Sequence, residues 1–494
     1  MHSSLQSWKL TAFSTQLGRV LIIAAVLAGF KAEAQNLPRP ALQALRAAGI
    51  PSANVGVWVQ DVDAPRPSLA LHAGATMHPA SVMKLVTTYA ALELLGPAYQ
   101  WKTEAYVDGD DLVLRGYGDP KLNYESFWML LRRLRDRGLR DLHGDVVLDR
   151  SYFGPAQYGA FDSEVFRPYN VTPDALLVNF KSLRFTFIPQ PEQGVRVFAE
   201  PALPGLEIAN TLTLASGTCP DGNRAFRELI QASFQSQPPR ASFSGTYPVE
   251  CGERDLNIAL HDPLEYVGAM IRQLWAEMGG TWSGKVREGT ASPAARLLYV
   301  HESEPLGDIV RDINKLSNNV MARQLFLTLG AQLGGPPARE DEAARAVREW
   351  LASKKISAPE LVLENGSGLS RLERISPQHL GMLLLAAWHS PVMPEFVSSL
   401  PVVAADGTMR KRLRGERIAG NAHIKTGLLA EARAVAGYVL DRRGHRHVVV
   451  MIANHPKAPQ ADAAMDALLE WVYDSPTAPT RPITNRPGAL PRRP

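Results

Sequence analysis

The sequence predicts an α/β (α+β) fold, in which an antiparallel sheet is flanked by helices and interrupted by a large β-rich insertion. Strand-like segments lie near both ends of the chain, at residues 54–60 and 68–72 and again between 423 and 452. Helical periodicity dominates residues 306–354. From about Trp101 to Gly284, short alternating runs, prolines and turn residues replace it. Both ends of the chain are therefore expected to build one sheet, with the middle inserted.

Length and composition restrict the class of protein. The chain has 494 residues, 45% hydrophobic and 21% charged, which suggests about three units of roughly 150 residues. This composition excludes a disordered, collagen-like or disulfide-framework protein. The single long apolar run excludes a multi-span membrane protein. A net charge of only +4 argues against nucleic-acid binding.

The two ends of the chain carry processing and tail signals. Residues 20–30 form an apolar run of 11, shorter than the roughly 20 needed to span a bilayer. Lys9 and Arg19 precede it and Ala32-Glu33-Ala34 follows, which predicts a signal peptide over residues 1–34; the alternative is an uncleaved anchor. Residues 475–494 are rich in Pro and Arg without an acid. This predicts a flexible tail, either solvated or in weak contact with a wall or membrane surface.

The first elements form a strand pair and a helix. Residues 54–60 read as a strand that turns at 61–67 and returns antiparallel at 68–72. Pro79 suits the first turn of a helix that Gly96-Pro97 ends.

The same patterns predict the elements of the insertion and of the C-terminal part. Residues 103–107 and 112–115 alternate around Asp108-Gly109, which predicts a hairpin, and an amphipathic helix follows at 124–137. Cys219 and Cys251 either pair after export or remain buried thiols. Helices are predicted at 319–333, 340–354 and 460–473, and strands at 423–427, 434–440 and 447–452.

The first chemical motif is Ser81-Val82-Met83-Lys84. Residues i and i+3 share a helix face, so the Lys84 amine can lie beside the Ser81 hydroxyl. A hydroxyl becomes a nucleophile when a neighbouring base takes its proton. The alternative is an ordinary helix start with an exposed lysine.

Two further motifs follow along the chain. Ser317-Asn318-Asn319 could offer a hydroxyl that relays a proton and an amide that positions a substrate, or could simply cap a helix. Lys425-Thr426-Gly427 lies on a predicted strand. It could present a cation and a hydroxyl to a carboxylate, with Gly427 allowing close approach, or could end a strand at a turn glycine.

Together the three motifs, in the order S-x-x-K, S-x-N and K-T-G, are the signature of serine acyl-enzymes that react with penicillin. The chain resembles the class C low-molecular-mass penicillin-binding proteins of the penicillin-binding protein 4 type, which are D-alanyl-D-alanine carboxypeptidases and endopeptidases. The long gap between Ser81 and Ser317 matches the insertion of that family. Three further stretches are similar to family segments: 168–179, 365–371, and Leu400-Pro401 with 406–408.

The resemblance implies a penicillin-binding/β-lactamase-like transpeptidase fold and a set of roles. Ser81 would be acylated, Lys84 would be its general base, Ser317 would pass the proton to the leaving amine and Asn319 would hold the substrate amide. The terminal carboxylate would bind at the third motif, Lys425, Thr426 and Gly427. No metal or organic cofactor is implied.

The expected substrates are peptidoglycan stem peptides, with β-lactams as covalent inhibitors, in the periplasm of a Gram-negative bacterium. Two alternatives share the motifs: a β-lactamase-like hydrolase, and a non-catalytic wall-binding or sensor protein. Asn365 stands where many relatives have Asp, and Leu428 follows the third motif where some have a polar residue. Arg371 is a candidate contact for the stem peptide.

The expected domain organisation follows from these boundaries. A signal peptide spans 1–34, and a discontinuous catalytic domain spans 35–100 and 286–474. One or two β-rich subdomains span 101–285, and the tail spans 475–494.

Overall fold

The computed structural model describes residues 37–474, so the predicted signal peptide at 1–34 and the Pro/Arg-rich tail at 475–494 both lie outside the described residues. In chain order the strands are β1 Val55–Asp61, β2 Leu69–Leu71, β3 Lys102–Asp108, β4 Asp111–Gly116, β5 Val146–Asp149, β6 Leu183–Gln190, β7 Gly194–Glu200, β8 Glu207–Asn210, β9 Thr213–Ala215, β10 Ser233–Gln235, β11 Arg240–Phe243, β12 Thr246–Pro248, β13 Arg254–Ile258, β14 Val286–Glu288, β15 Arg296–Glu302, β16 Ala422–Leu428, β17 Ala432–Leu440 and β18 Arg446–Asn454. The α-helices are α1 Arg39–Ala47, α2 Lys84–Leu95, α3 Tyr124–Asp136, α4 Asn223–Leu229, α5 Pro263–Glu277, α6 Leu306–Leu316, α7 Asn319–Gly334, α8 Glu340–Ser353, α9 Pro377–Trp388, α10 Met393–Ser399 and α11 Asp462–Asp474.

A five-stranded antiparallel sheet joins the two ends of the chain. Its strand order is β16-β17-β18-β1-β2, so the N-terminal hairpin pairs with the three C-terminal strands. The prediction that both ends build one sheet is confirmed. β16, which carries the third motif, is an edge strand of this sheet.

Alternating apolar residues give this sheet two covered faces. Val57, Val449 and Met451 point to one face and pack with α1 and α11. Trp58 and Val450 belong to the opposite face, against α2 and helices α6 to α10. Because successive strand residues point to opposite sides, strands that are apolar at nearly every position are buried on both faces.

The inserted region contains its own sheets. The largest has the order β14-β5-β4-β3-β15, and the predicted hairpin at β3 and β4 is confirmed. Smaller sheets have the orders β13-β6-β7, β10-β11-β8 and β12-β9. Cys219 and Cys251 form a disulfide beside these smaller sheets.

The predicted domain boundaries stay a prediction, and one of them falls within a sheet. Strands β14 and β15 follow residue 285, yet they pair with β5 and β3 of the inserted region. Among residues 37–474, each helix is too short or too polar to cross a membrane.

Candidate active site

The first motif lies in a turn that is tied to the end of the central sheet. Ala80–Met83 is a 3₁₀ turn, and α2 begins only at Lys84. The sequence predicts a helix from Pro79, but Ala80 has a left-handed φ of 48°, which an α-helix cannot contain. The N–H of Ala80 donates to Nδ1 of His78 at 3.1 Å, and Asn454, at the end of β18, accepts from the N–H of His78 at 2.7 Å.

Lys84 is the centre of the first cluster. Its Nζ lies 3.1 Å from Ser81 Oγ and 2.5 Å from Asn319 Oδ1, and it donates to the carbonyl of Ser367 at 2.5 Å. The side chain is completely buried. Burial disfavours the ammonium form and lowers the pKa of Lys84 to about 7, while the carboxylate of Glu373 acts in the opposite direction. The structure therefore joins the first motif to Asn319 of the second.

Lys425 is the centre of the second cluster. Its Nζ donates to Ser317 Oγ at 2.7 Å and to the carbonyl of Thr426 at 2.8 Å. It is also completely buried. Burial, followed by the positive charge of Lys84, holds the pKa of Lys425 well below its usual value. The two amines therefore interact within one cleft, although they come from opposite ends of the sequence.

The S-x-N turn combines a left-handed backbone conformation with a partly buried ion pair. Ser317 has φ 56°, the left-handed conformation that ends α6, and Asn318 caps α7 by accepting from the N–H of Met321. The capping alternative thus describes Asn318, whereas Ser317 and Asn319 face the two lysines. Lys315 bonds Asp406 at 2.6 Å, which ties this turn to the 406–408 segment.

The third motif lies directly beside the nucleophile turn. A Cβ on Gly427 would lie 2.7 Å from the Pro79 carbonyl oxygen and 3.2 Å from the Ser81 nitrogen. Only glycine allows this approach of β16 to the turn. The Thr426 hydroxyl bonds that of Thr408 at 2.8 Å. Seven of the eight predicted site residues therefore surround one cleft.

Arg371 lies apart from the two lysine clusters. Its guanidinium stacks over the ring of Phe161, a residue of the inserted region, at 5.3 Å from the ring centroid. It lines a neighbouring cavity of about 680 Å³ between the catalytic and inserted regions. Asp162, Arg374 and Glu431 line the same cavity, so it presents both signs of charge.

Sequence reasoning missed two residues that hold this site together. Glu373 is a buried carboxylate under the 364–368 loop, and His78 bridges Ala80 and the Ser370 carbonyl, which lies 2.6 Å from its Nε2. Both lie next to quoted motifs, but charged residues outside a motif are by default assigned to the surface. Among residues 37–474, no cluster of His, Cys, Asp or Glu could hold a metal.

Comparison with known proteins identifies the family. The model of the D-Ala-D-Ala carboxypeptidase 3 (S13) family matches residues 41–473. The chain belongs to this family. The predictions of the family, of the fold class and of a serine-type D-Ala-D-Ala carboxypeptidase are confirmed.

Individual relatives agree with the family match over most of their length. A D-alanyl-D-alanine carboxypeptidase of Actinomadura sp. strain R39 is 27% identical over 437 residues, covering 84% of this chain and 80% of that protein. The D-alanyl-D-alanine carboxypeptidase DacB of Haemophilus influenzae is 24% identical, covering 81% and 85%. The crystal structure of penicillin-binding protein 4 from H. influenzae superposes with a TM-score of 0.72 at 22% identity, covering 88% of this chain and 99% of that one.

Proposed function

We propose that the chain hydrolyses the terminal D-alanyl-D-alanine bond of peptidoglycan stem peptides, and the D-alanyl cross-links between stems, through an acyl-enzyme on Ser81. The observation that carries this proposal is the 3.1 Å contact between Lys84 Nζ and Ser81 Oγ inside a buried cleft. A serine nucleophile needs an adjacent base, and a desolvated lysine with a pKa of about 7 can act as one at neutral pH.

In the acylation step, Ser81 Oγ attacks the carbonyl carbon of the penultimate residue while neutral Lys84 accepts the hydroxyl proton. The C–N bond then breaks, and the proton reaches the leaving amine through Ser317, which restores neutral Lys84. Lys425 supports this role because its Nζ holds the Ser317 hydroxyl at 2.7 Å. Water then attacks the ester carbonyl while Lys84 takes one of its protons. The bond between the acyl carbon and Ser81 Oγ breaks, Lys84 returns the proton to Ser81 Oγ, and the shortened stem leaves.

The edge of β16 would stabilise the oxyanion. The N–H of Ile424 donates to the Pro401 carbonyl, away from β17. Since N–H directions alternate along a strand, those of Thr426 and Leu428 point to the same open edge, beside Ser81. The N–H groups of Ser81 and Leu428 are therefore the donors we assign to the developing negative charge.

The terminal carboxylate would bind at the third motif. Thr426 offers a hydroxyl that pairs with that of Thr408, and the Lys425 amine donates to the Thr426 carbonyl beside it. A bound carboxylate would favour the charged form of this amine. Gly427 keeps this strand close enough to the Ser81 turn for one short peptide to contact both.

The neighbouring cavity would receive the side chain of the stem peptide. Arg371 and Arg374 can bind a carboxylate, and Asp162 and Glu431 can bind an ammonium. A diamino acid with a free amino-acid end carries both groups. This supports Arg371 as a stem contact rather than a catalytic residue.

β-Lactams would acylate Ser81 as substrate mimics, and the enzyme would act in the periplasm after removal of residues 1–34. The test is product analysis of purified muropeptides, with Ser81→Ala as control. We expect loss of one alanine from pentapeptide stems, conversion of cross-linked dimers to monomers, and neither product with Ser81→Ala. Unchanged muropeptides, or rapid turnover of penicillin instead, would overturn the proposal.

A further inference from the structure

A buried carboxylate organises the loop that faces Lys84. Glu373 is completely buried, and its Oε1 accepts the N–H groups of Asn365 and Gly366 at 3.0 and 2.7 Å. Its Oε2 accepts the N–H of Gly368 at 2.7 Å. Both oxygens therefore act as acceptors, which favours the carboxylate, whereas burial raises the pKa of Glu373.

The loop held by Glu373 is wedged against the nucleophile turn and α2. The Ser367 carbonyl accepts from Lys84 Nζ, and the Gly366 carbonyl accepts from the Thr87 hydroxyl at 2.6 Å. A Cβ on Gly368, where φ is +79°, would lie 1.9 Å from the carbonyl oxygen of Ala80. Any displacement of this loop therefore displaces both the lysine and the turn that carries Ser81.

The charges around Lys84 come from three directions. Glu373 acts on it from the loop and favours its ammonium form. Lys84 in turn acts on Lys425 of β16, whose pKa its like charge lowers. Arg323 of α7 and the Tyr158 phenol also interact electrostatically with Glu373. Among these groups Glu373 supplies the negative charge that acts on Lys84.

We propose that Glu373 is a positioning residue of this enzyme, which fixes Lys84 against Ser81 through the Ser367 carbonyl and balances the charge of its ammonium form. This inference rests on the proposed function, because it gives Lys84 the role of the base. It adds a residue that none of the three motifs contains.

The test measures how the rate of acylation by a fluorescent penicillin depends on pH, in the wild-type chain and two variants. Glu373→Gln removes the charge and turns an amide donor toward backbone donors. We expect the acylation rate on the alkaline plateau to be at least about tenfold lower than in the wild-type chain. We also expect the acid limb of the pH–rate profile, where the rate falls as Lys84 becomes protonated, to shift to lower pH by about one unit, because an opposite charge no longer favours protonated Lys84. Glu373→Asp keeps the charge but shortens the side chain. We expect its plateau acylation rate to be at least about fivefold lower, with the acid limb at the same pH as in the wild-type chain.

Glu360→Gln is the matched control. Glu360 also accepts a backbone N–H, that of Ser376 at 2.9 Å, and contacts His379 away from both lysines. The acylation rate of Glu360→Gln and the position of its acid limb should equal those of the wild-type chain. Near-ultraviolet circular dichroism checks that each variant is folded.

The outcomes separate the two proposals. Absence of a Ser81 adduct in the wild-type chain refutes the proposed function. If the wild-type chain is acylated normally but the acid limb of Glu373→Gln stays at the wild-type pH, only the role of Glu373 is refuted. If the Gln variant does not fold, the Asp variant decides, since an unchanged rate contradicts positioning by Glu373.

Discussion

The catalytic cleft and the inserted region are built from opposite kinds of buried group. The cleft buries Lys84, Lys425 and Glu373 without exposed surface. The core of the insertion is apolar and includes a cluster of rings, such as Phe187 and Phe243 with centroids 4.9 Å apart, and a disulfide lies near it. Buried charge costs folding free energy, whereas buried aromatic surface supplies it. We therefore expect substitutions in the cleft to change mainly the rate of acylation, and substitutions in the insertion to change mainly the free energy of unfolding.

The largest expected effect is that of removing the buried amine. Lys84→Met should lower the rate of acylation by about 10²–10⁴-fold, because a general base contributes that much. Lys181 is a matched control in the insertion, where burial also lowers the pKa of its amine. Lys181→Met should leave acylation unchanged. Equal losses of acylation in both variants would contradict the role of Lys84 as the base.

The disulfide tests the other half of the comparison. Cys219 and Cys251 close a loop of 32 residues, so replacing both with Ser should cost about 3–4 kcal/mol in the free energy of unfolding of the insertion. Acylation at 25 °C should remain at the wild-type rate, because neither cysteine lies at the cleft. Thermal unfolding and stopped-flow acylation measure the two effects. A large loss of acylation in the folded variant would contradict the expectation that changes in the insertion affect stability and not catalysis.

Two glycines with similar backbone angles, one at the cleft and one in the insertion, allow a second direct comparison of the two regions. Gly368 and Gly109 have φ of +79° and +62°, but a Cβ would strike the Ala80 carbonyl at Gly368 and meet nothing within 4 Å at Gly109. Gly368→Ala should reduce acylation at least about tenfold, since a misplaced reacting group costs that much or more. Gly109→Ala should cost only about 1 kcal/mol of stability, measured by denaturant unfolding. Equal acylation rates in the two variants would contradict the close packing of the 364–368 loop.

The smallest expected effect, about twofold, is that of lowering the pH from the alkaline plateau to 7. Because the pKa of Lys84 is about 7 in the folded chain, the base form increases as pH rises through 7. Acylation at pH 7 should therefore be about half its alkaline plateau, and about a tenth at pH 6. Rates measured from pH 5 to 9 check this. A flat profile would mean that Lys84 is neutral throughout or is not the base.

Much of the fold and of the site followed from local patterns. The apolar strands near both ends predicted the central sheet, and the three motifs predicted seven residues that meet in one cleft. Periodicity could not predict that Ala80 interrupts the helix start, because its N–H is bonded to His78, and His78 is itself held by Asn454 from the far end of the chain. It also could not place Glu373, since its partners are backbone N–H groups, which every residue type provides.

The most direct measurement of the central claim is peptide mapping by mass spectrometry after exposure to penicillin. The account predicts one covalent adduct on the peptide that contains Ser81, with fragment ions placing it on that residue, and no adduct in the Ser81→Ala chain. An adduct on another residue, or continued labelling of the Ser81→Ala chain, would contradict it.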